Sequence, residues 1–202
     1  MKKLFYVIGL LPIILFIWIS QNYETASFIQ FDESMSDKLF GTKWITMFHY
    51  IGDTIFVMIV TLIVVLYFGI REKNYRAVLF TVLTIAGGTA INQGLKAFYA
   101  RPRPDIVNQL NSFSFPSGHS MLSVLYLLTL AYLLSKLSAS SKTTILYFTV
   151  AIVLFVMIGM SRVAEARHYA TDVLAGWSLG IVWFTLCVIW YELRESKYKR
   201  IK

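Results

Sequence analysis

Residues 143–163 read TTILYFTVAIVLFVMIGMSRV, nineteen uncharged residues and then Arg162. A helix of that length rises about 30 Å, the thickness of a bilayer's hydrocarbon core. A helix apolar on all sides belongs in a protein interior or a membrane, not on a wet surface. Similar runs recur, and the spacing predicts spans at roughly 4–20, 47–70, 75–97, 118–136, 143–163 and 168–192. The expected fold class is all-α, a six-span transmembrane helical bundle forming one integral membrane domain over residues 1–202.

Composition agrees. The chain is 57% hydrophobic and only 15% charged, where a soluble domain carries about a quarter charged residues. The net charge of +8 does not point to nucleic acid, because the charges sit in short loops between apolar runs. Cys187 is the only cysteine, which excludes a disulfide framework. No zinc-type ligand spacing is present. Met1-Lys2-Lys3 followed by the uncharged run Leu4–Ser20 resembles a secretory signal. The following Gln21-Asn22-Tyr23-Glu24 makes a poor cleavage site, so the run is read as a retained first span.

Of the 19 Lys and Arg, 12 fall on the side that holds both termini and 7 on the other. Five of those seven belong to or adjoin the cluster described next, so both termini are expected to be cytoplasmic and the cluster to face outside. Between the first two spans, Phe31, Met35 and Leu39 recur every four residues. A short surface helix capped by Asp32 and ended by Gly41 fits this pattern, and so does a polar loop. Gly87, Gly88, Gly94, Gly176 and Gly180 fall within spans and are read as close-packing positions.

Three segments carry ionisable residues at span ends, where they are costly beside lipid. His168 and Asp172 are four residues apart at a helix start, which places them on one face. Asp172 can then fix the imidazole tautomer and leave the other nitrogen free as a nucleophile. A purely structural His–Asp pair fits the same spacing. Pro116-Ser117-Gly118-His119 begins a span. Its free N–H groups suit an anion, Ser117 adds a hydroxyl, Gly118 permits close approach, and His119 can protonate a departing oxygen. Lys96, Arg103 and Arg162 supply the fixed positive charge that a transferring phosphoryl group needs. Arg101 and Arg167 are assigned to lipid-headgroup anchoring. Asp53 and His49 are read as interfacial or packing residues, and Asp105 and Glu165 as solvated loop positions.

The order and spacing are specific. Lys96, six residues, Arg103-Pro104; then Pro116-Ser117-Gly118-His119; then Ser161-Arg162, five residues, His168, three residues, Asp172. This resembles the three-part signature of the type 2 phosphatidic acid phosphatase family, whose helical core is shared with vanadium haloperoxidases. The resemblance covers about 96–172. It implies His168 as the nucleophile forming a phosphohistidine, Asp172 as its orienting group and His119 as the proton donor. It implies Lys96, Arg103, Ser117, Gly118 and Arg162 as phosphate ligands, with no metal and no cofactor. The expected partners are the lipid bilayer and a membrane lipid phosphate in a bacterial cell membrane: undecaprenyl pyrophosphate, which an outward-facing site favours, phosphatidylglycerophosphate or phosphatidic acid. A lipid phosphotransferase using the same site and an anion or lipid transporter are the alternatives.

Overall fold

The computed structural model describes residues 2–201, with side chains for residues 10–194. Among the described residues all regular structure is helical. Helix α1 runs Lys2–Asn22 and α2 Ala26–Leu39. Single turns follow at Lys43–Thr46 and His49–Gly52. Then come α3 (Thr54–Arg71), α4 (Tyr75–Tyr99), α5 (Gly118–Leu137), α6 (Ser141–Ala164) and α7 (Ala170–Ile201).

Among the described residues, α3 to α7 are the five helices long and apolar enough to cross a membrane. The remaining expected span, the first, corresponds to α1, whose described apolar part is the shorter stretch Leu10–Asn22. Its 21 residues rise roughly 31 Å. The second span starts later than expected, because Asp53 accepts the Ile55 N–H at 2.8 Å and caps α3 there. Lys2, Lys3, Lys197, Lys199, Arg200 and Lys202, which entered the charge count, have side chains outside those described.

Helices α5 and α7 form the centre. Of α5's span window 67% is buried, and of α7's 56%, against 17% for α3. Their contact rests on Gly176. A Cβ there would lie 2.6 Å from the Ser117 carbonyl oxygen, so the start of α5 and the first turns of α7 touch backbone to backbone. Gly94 differs from the packing expectation: nothing lies within 4 Å of a Cβ built there. In α4 a π-turn over Leu83–Gly87 interrupts the α-helical ladder. The Trp183 indole N–H of α7 donates to the Leu83 and Thr84 carbonyls in that turn.

The segment after α1 is a helix, but not the one expected. It begins at Ala26, so Asp32 falls mid-helix and is buried. Asp32 does not cap its own helix. Its Oδ1 accepts the Thr171 N–H at 2.8 Å, in the first turn of α7. The physical need is the one expected, a free helix-start N–H seeking an oxygen, but the helix served is a different one. Gly41 closes α2 with φ +72°.

Candidate active site

Antiparallel neighbours bring the three segments to one end of the bundle. Lys96 lies in the last turn of α4, and Gly118 and His119 open α5. Arg162 lies in the last turn of α6, and His168 stands two residues before α7. Ala100 ends α4 in the left-handed region at φ +48° and turns the chain into the loop that carries Arg103. A cavity of about 650 Å³ opens here. Lys96, Arg103, Gly118, His119 and His168 line it on one side, and apolar residues such as Val57, Met58, Ile85 and Leu122 on the other.

His168 is 3% exposed. Its Nε2 lies 3.2 Å from Arg103 Nη1. A guanidinium only donates, so Nε2 is the acceptor and carries the lone pair. The ring proton then belongs to Nδ1, which faces Asp172 Oδ2 at 3.4 Å. That separation is longer than a well-formed hydrogen bond, and Nδ1 has no closer partner among the described residues. Burial, together with Lys96, Arg103 and Arg162, holds the His168 imidazole well below the usual histidine value of 6.5. A neutral ring with its Nε2 lone pair toward the cations is the form a nucleophile needs.

The cations are held by backbone oxygens. Lys96 Nζ donates to the Phe113 carbonyl at 2.6 Å and the Ser114 carbonyl at 3.2 Å. Arg103 donates to the Ser112 carbonyl at 2.7 Å, the Ser112 hydroxyl at 3.0 Å and the Arg167 carbonyl at 2.5 Å. Asn92, one turn before Lys96, braces the start of α5 through its Nδ2 bond to the Pro116 carbonyl at 3.3 Å. Ser117 is fully buried, and its Oγ accepts the Ser120 hydroxyl at 2.9 Å as the cap of α5. Arg162 is buried behind the cavity, and its Nη1 donates to Glu165 Oε2 at 2.6 Å. The structure thus places Lys96, Arg103, Gly118, His119 and His168 on the cavity wall, with Ser117, Arg162 and Asp172 just behind it.

A family model described as the PAP2 superfamily matches residues 75–196, which contain all eight of these residues. The chain belongs to the PAP2 superfamily. It is 40% identical over 111 residues to the phosphatidylglycerophosphatase B of Bacillus subtilis (strain 168), covering 54% of this chain and 55% of that one. A PA-phosphatase related-family protein of Dictyostelium discoideum is 33% identical over 137 residues, 63% of this chain and 40% of that one. The matches therefore span about half or less of these relatives' lengths. The crystal structure of a transmembrane PAP2 type phosphatidylglycerolphosphate phosphatase from Bacillus subtilis superposes with a TM-score of 0.83 at 29% identity. It covers 91% of this chain and 96% of that one.

Three assignments made from the sequence are overturned around this PAP2 core. Arg101 is no headgroup anchor: it is 8% exposed. Its Nη1 donates to Asp172 Oδ1 at 2.7 Å and its Nη2 to Asp32 Oδ2 at 3.0 Å. The guanidinium lies between the Tyr23 and Tyr169 rings, 4.6 and 4.0 Å from their centroids. Arg167 is half-buried and donates to the Asn108 carbonyl at 2.8 Å, bracing the loop rather than a lipid. Glu165 is also no free loop carboxylate, since it bridges Arg162 and the His49 Nδ1, 2.6 Å away. Asp32 was missed because its partners arrive only when distant helices meet, and Glu165 because one of its two partners, His49, comes from a distant turn. The Phe-x-x-x-Met-x-x-x-Leu spacing over Phe31, Met35 and Leu39 showed a helix face, but not what Asp32 beside it would meet.

Proposed function

We propose that this chain is a lipid phosphatase that removes a terminal phosphate from a membrane lipid through a phosphohistidine on His168. The observation that carries the reading is the His168 Nε2 lone pair, set beside Arg103 in a cavity with a cationic wall and an apolar wall. Phosphate sits against Lys96, Arg103, Arg162, the Ser117 hydroxyl and the Gly118 N–H, while lipid tails lie along the apolar wall.

Nε2 attacks phosphorus as the bond to the leaving oxygen breaks, and His119 protonates that oxygen. Water then attacks the phosphohistidine, His119 takes its proton, and the P–N bond breaks to restore His168. Fixed cations and N–H donors offset the charge spread over the phosphoryl oxygens. A ring of cations repels a divalent metal, so the proposed reaction uses none and needs no cofactor. Asp172 accepts the Nδ1 proton's hydrogen bond more tightly as the ring becomes positive.

The named relatives make phosphatidylglycerophosphate the first substrate to try. Phosphatidic acid and undecaprenyl pyrophosphate share the same terminal phosphate chemistry. The loop charges support a site on the outer face of a bacterial cell membrane with both termini cytoplasmic. Purified protein in detergent with a chelator present is expected to release phosphate from at least one of the three lipids without any acceptor other than water. Release only when a second lipid alcohol is added would instead establish a phosphotransferase.

A further inference from the structure

Asp172 does more than face His168. Its Oδ2 accepts the Tyr169 N–H at 2.9 Å, and its Oδ1 accepts Arg101 at 2.7 Å. A guanidinium paired with Asp172 alone would cancel the charge that His168 needs behind it. Arg101 is instead shared. Its second nitrogen goes to Asp32, and Asp32 also accepts the Thr171 N–H at 2.8 Å and the Thr171 hydroxyl at 2.7 Å. These partners of the Asp32 oxygens are all donors, as suits a carboxylate. Burial raises the Asp32 carboxyl above its ordinary value, and Thr171 and Arg101 oppose that rise.

Two carboxylates and one guanidinium leave one net negative charge on the Nδ1 side of His168. When Nε2 attacks phosphorus, the imidazole gains positive charge, and that negative charge stabilises it. The chain His168–Asp172–Arg101–Asp32 runs through buried groups, where solvent screens it weakly.

We propose that Asp32 and Arg101 are positioning residues of the phosphoryl-transfer site, setting the orientation and net charge of the Asp172 side of His168. Asp32 lies on α2, outside the residues that match the PAP2 family model. This makes α2 part of the active site. The proposal rests on the phosphatase reading above. The charged groups facing His168 are Lys96, Arg103 and Arg162 on one side and Asp172 on the other. Those facing Arg101 are Asp32 and Asp172, with the Tyr23 and Tyr169 rings stacked on it.

The test is steady-state phosphate release from phosphatidylglycerophosphate, phosphatidic acid and undecaprenyl pyrophosphate by the full chain and by Asp32→Asn. The variant keeps one side-chain oxygen for the Thr171 N–H and loses the negative charge together with the oxygen that accepts from Arg101 and the Thr171 hydroxyl. It is expected to lower kcat about 10- to 100-fold, as the loss of a group orienting a reactive histidine does, with a smaller change in KM. The acid limb of its pH–rate profile should move to lower pH, because less negative charge makes the imidazole harder to protonate. Asp32→Glu should recover part of kcat. A folded Asp32→Asn with wild-type kcat and pH profile overturns the proposal. If Asp32→Asn does not fold, Arg101→Lys keeps the charge but cannot fork between both carboxylates, and wild-type kcat in that variant overturns it equally. No release by the unmodified protein from any of the three lipids removes the phosphatase reading and this inference with it. Release by the unmodified protein alongside an unaffected Asp32→Asn removes this inference alone.

Discussion

Arg101 and Arg103 stand two residues apart and serve opposite sides of His168. Arg103 is half-buried on the cavity wall and points at Nε2. Arg101 is buried behind Asp172, clamped between two carboxylates and two tyrosine rings. The same residue type therefore has two physical tasks. On the cavity side a cation is left within reach of an incoming anion. On the buried side a cation is fully paired and holds other groups in place. The difference predicts that damage on the two sides has different symptoms: lost phosphate handling in front, lost orientation and stability behind.

The largest effect belongs to the residue both sides share. His168→Ala is expected to lower turnover at least about 10⁴-fold, as removal of a nucleophile does, while size-exclusion and circular dichroism profiles stay native. Turnover near normal in that variant would remove the nucleophile and dissolve the distinction between the two sides. Asp172→Asn comes next, with about 10³- to 10⁴-fold lost in kcat, since an amide can favour the wrong tautomer. Phosphate release under single-turnover conditions reads this directly.

Arg103→Ala is expected to cost about 10²- to 10³-fold, the scale of one lost transition-state donor, and to leave thermal stability nearly unchanged. Arg101→Ala should show the reverse balance. It breaks two buried ion pairs, and removing one partner of such a pair costs about 3–5 kcal/mol, so a clear drop in unfolding temperature is expected along with lost activity. Equal stability of the two arginine variants would break the comparison.

The smallest predicted effect concerns Glu165→Gln. It releases Arg162 from its carboxylate partner and weakens the link to His49. KM for the lipid phosphate should fall a few-fold if the carboxylate competes with phosphate for Arg162, and a raised KM would show that Glu165 orients Arg162 instead. The acid side of the pH profile offers a further check. Because burial and three cations lower the His168 value, a proton is disfavoured on the empty enzyme's ring. Lowering the pH through 6.5 should therefore leave His168 unprotonated. Complete protonation of His168 near pH 6.5, followed by nitrogen NMR of labelled histidine, would contradict the buried site described here.

Much of the cavity side was legible in advance. Lys96, Arg103, Gly118, His119 and His168 sit in motifs whose spacing is set along the chain, and each motif lies at a span end because charge is costly within hydrocarbon. The buried side was not legible. Arg101 looked like another interfacial arginine, and Asp32 like a cap for its own helix. Both have the expected chemical appetite, a cation for anions and a carboxylate for free N–H groups, but their partners are 69 to 139 residues away along the chain. Glu165 escaped notice for the same reason, since His49 reaches it from a turn far earlier in the chain.

The sequence by itself determined that the chain is built of membrane-length helices, and which three segments of ionisable residues stand at their ends and meet at the cavity. Apolar run length and residue spacing are local properties, and local properties survive in a linear reading. Only the tertiary structure decided which cations face the cavity and which are buried, and that α2 is linked to Asp172 beside His168 through Asp32 and Arg101. The close approach of α5 and α7 at Gly176, and the packing of α1 and α2 over the start of α7, set those partners. A charged side chain near lipid must find a counter-charge, and which counter-charge it finds depends on the helices that pack beside it.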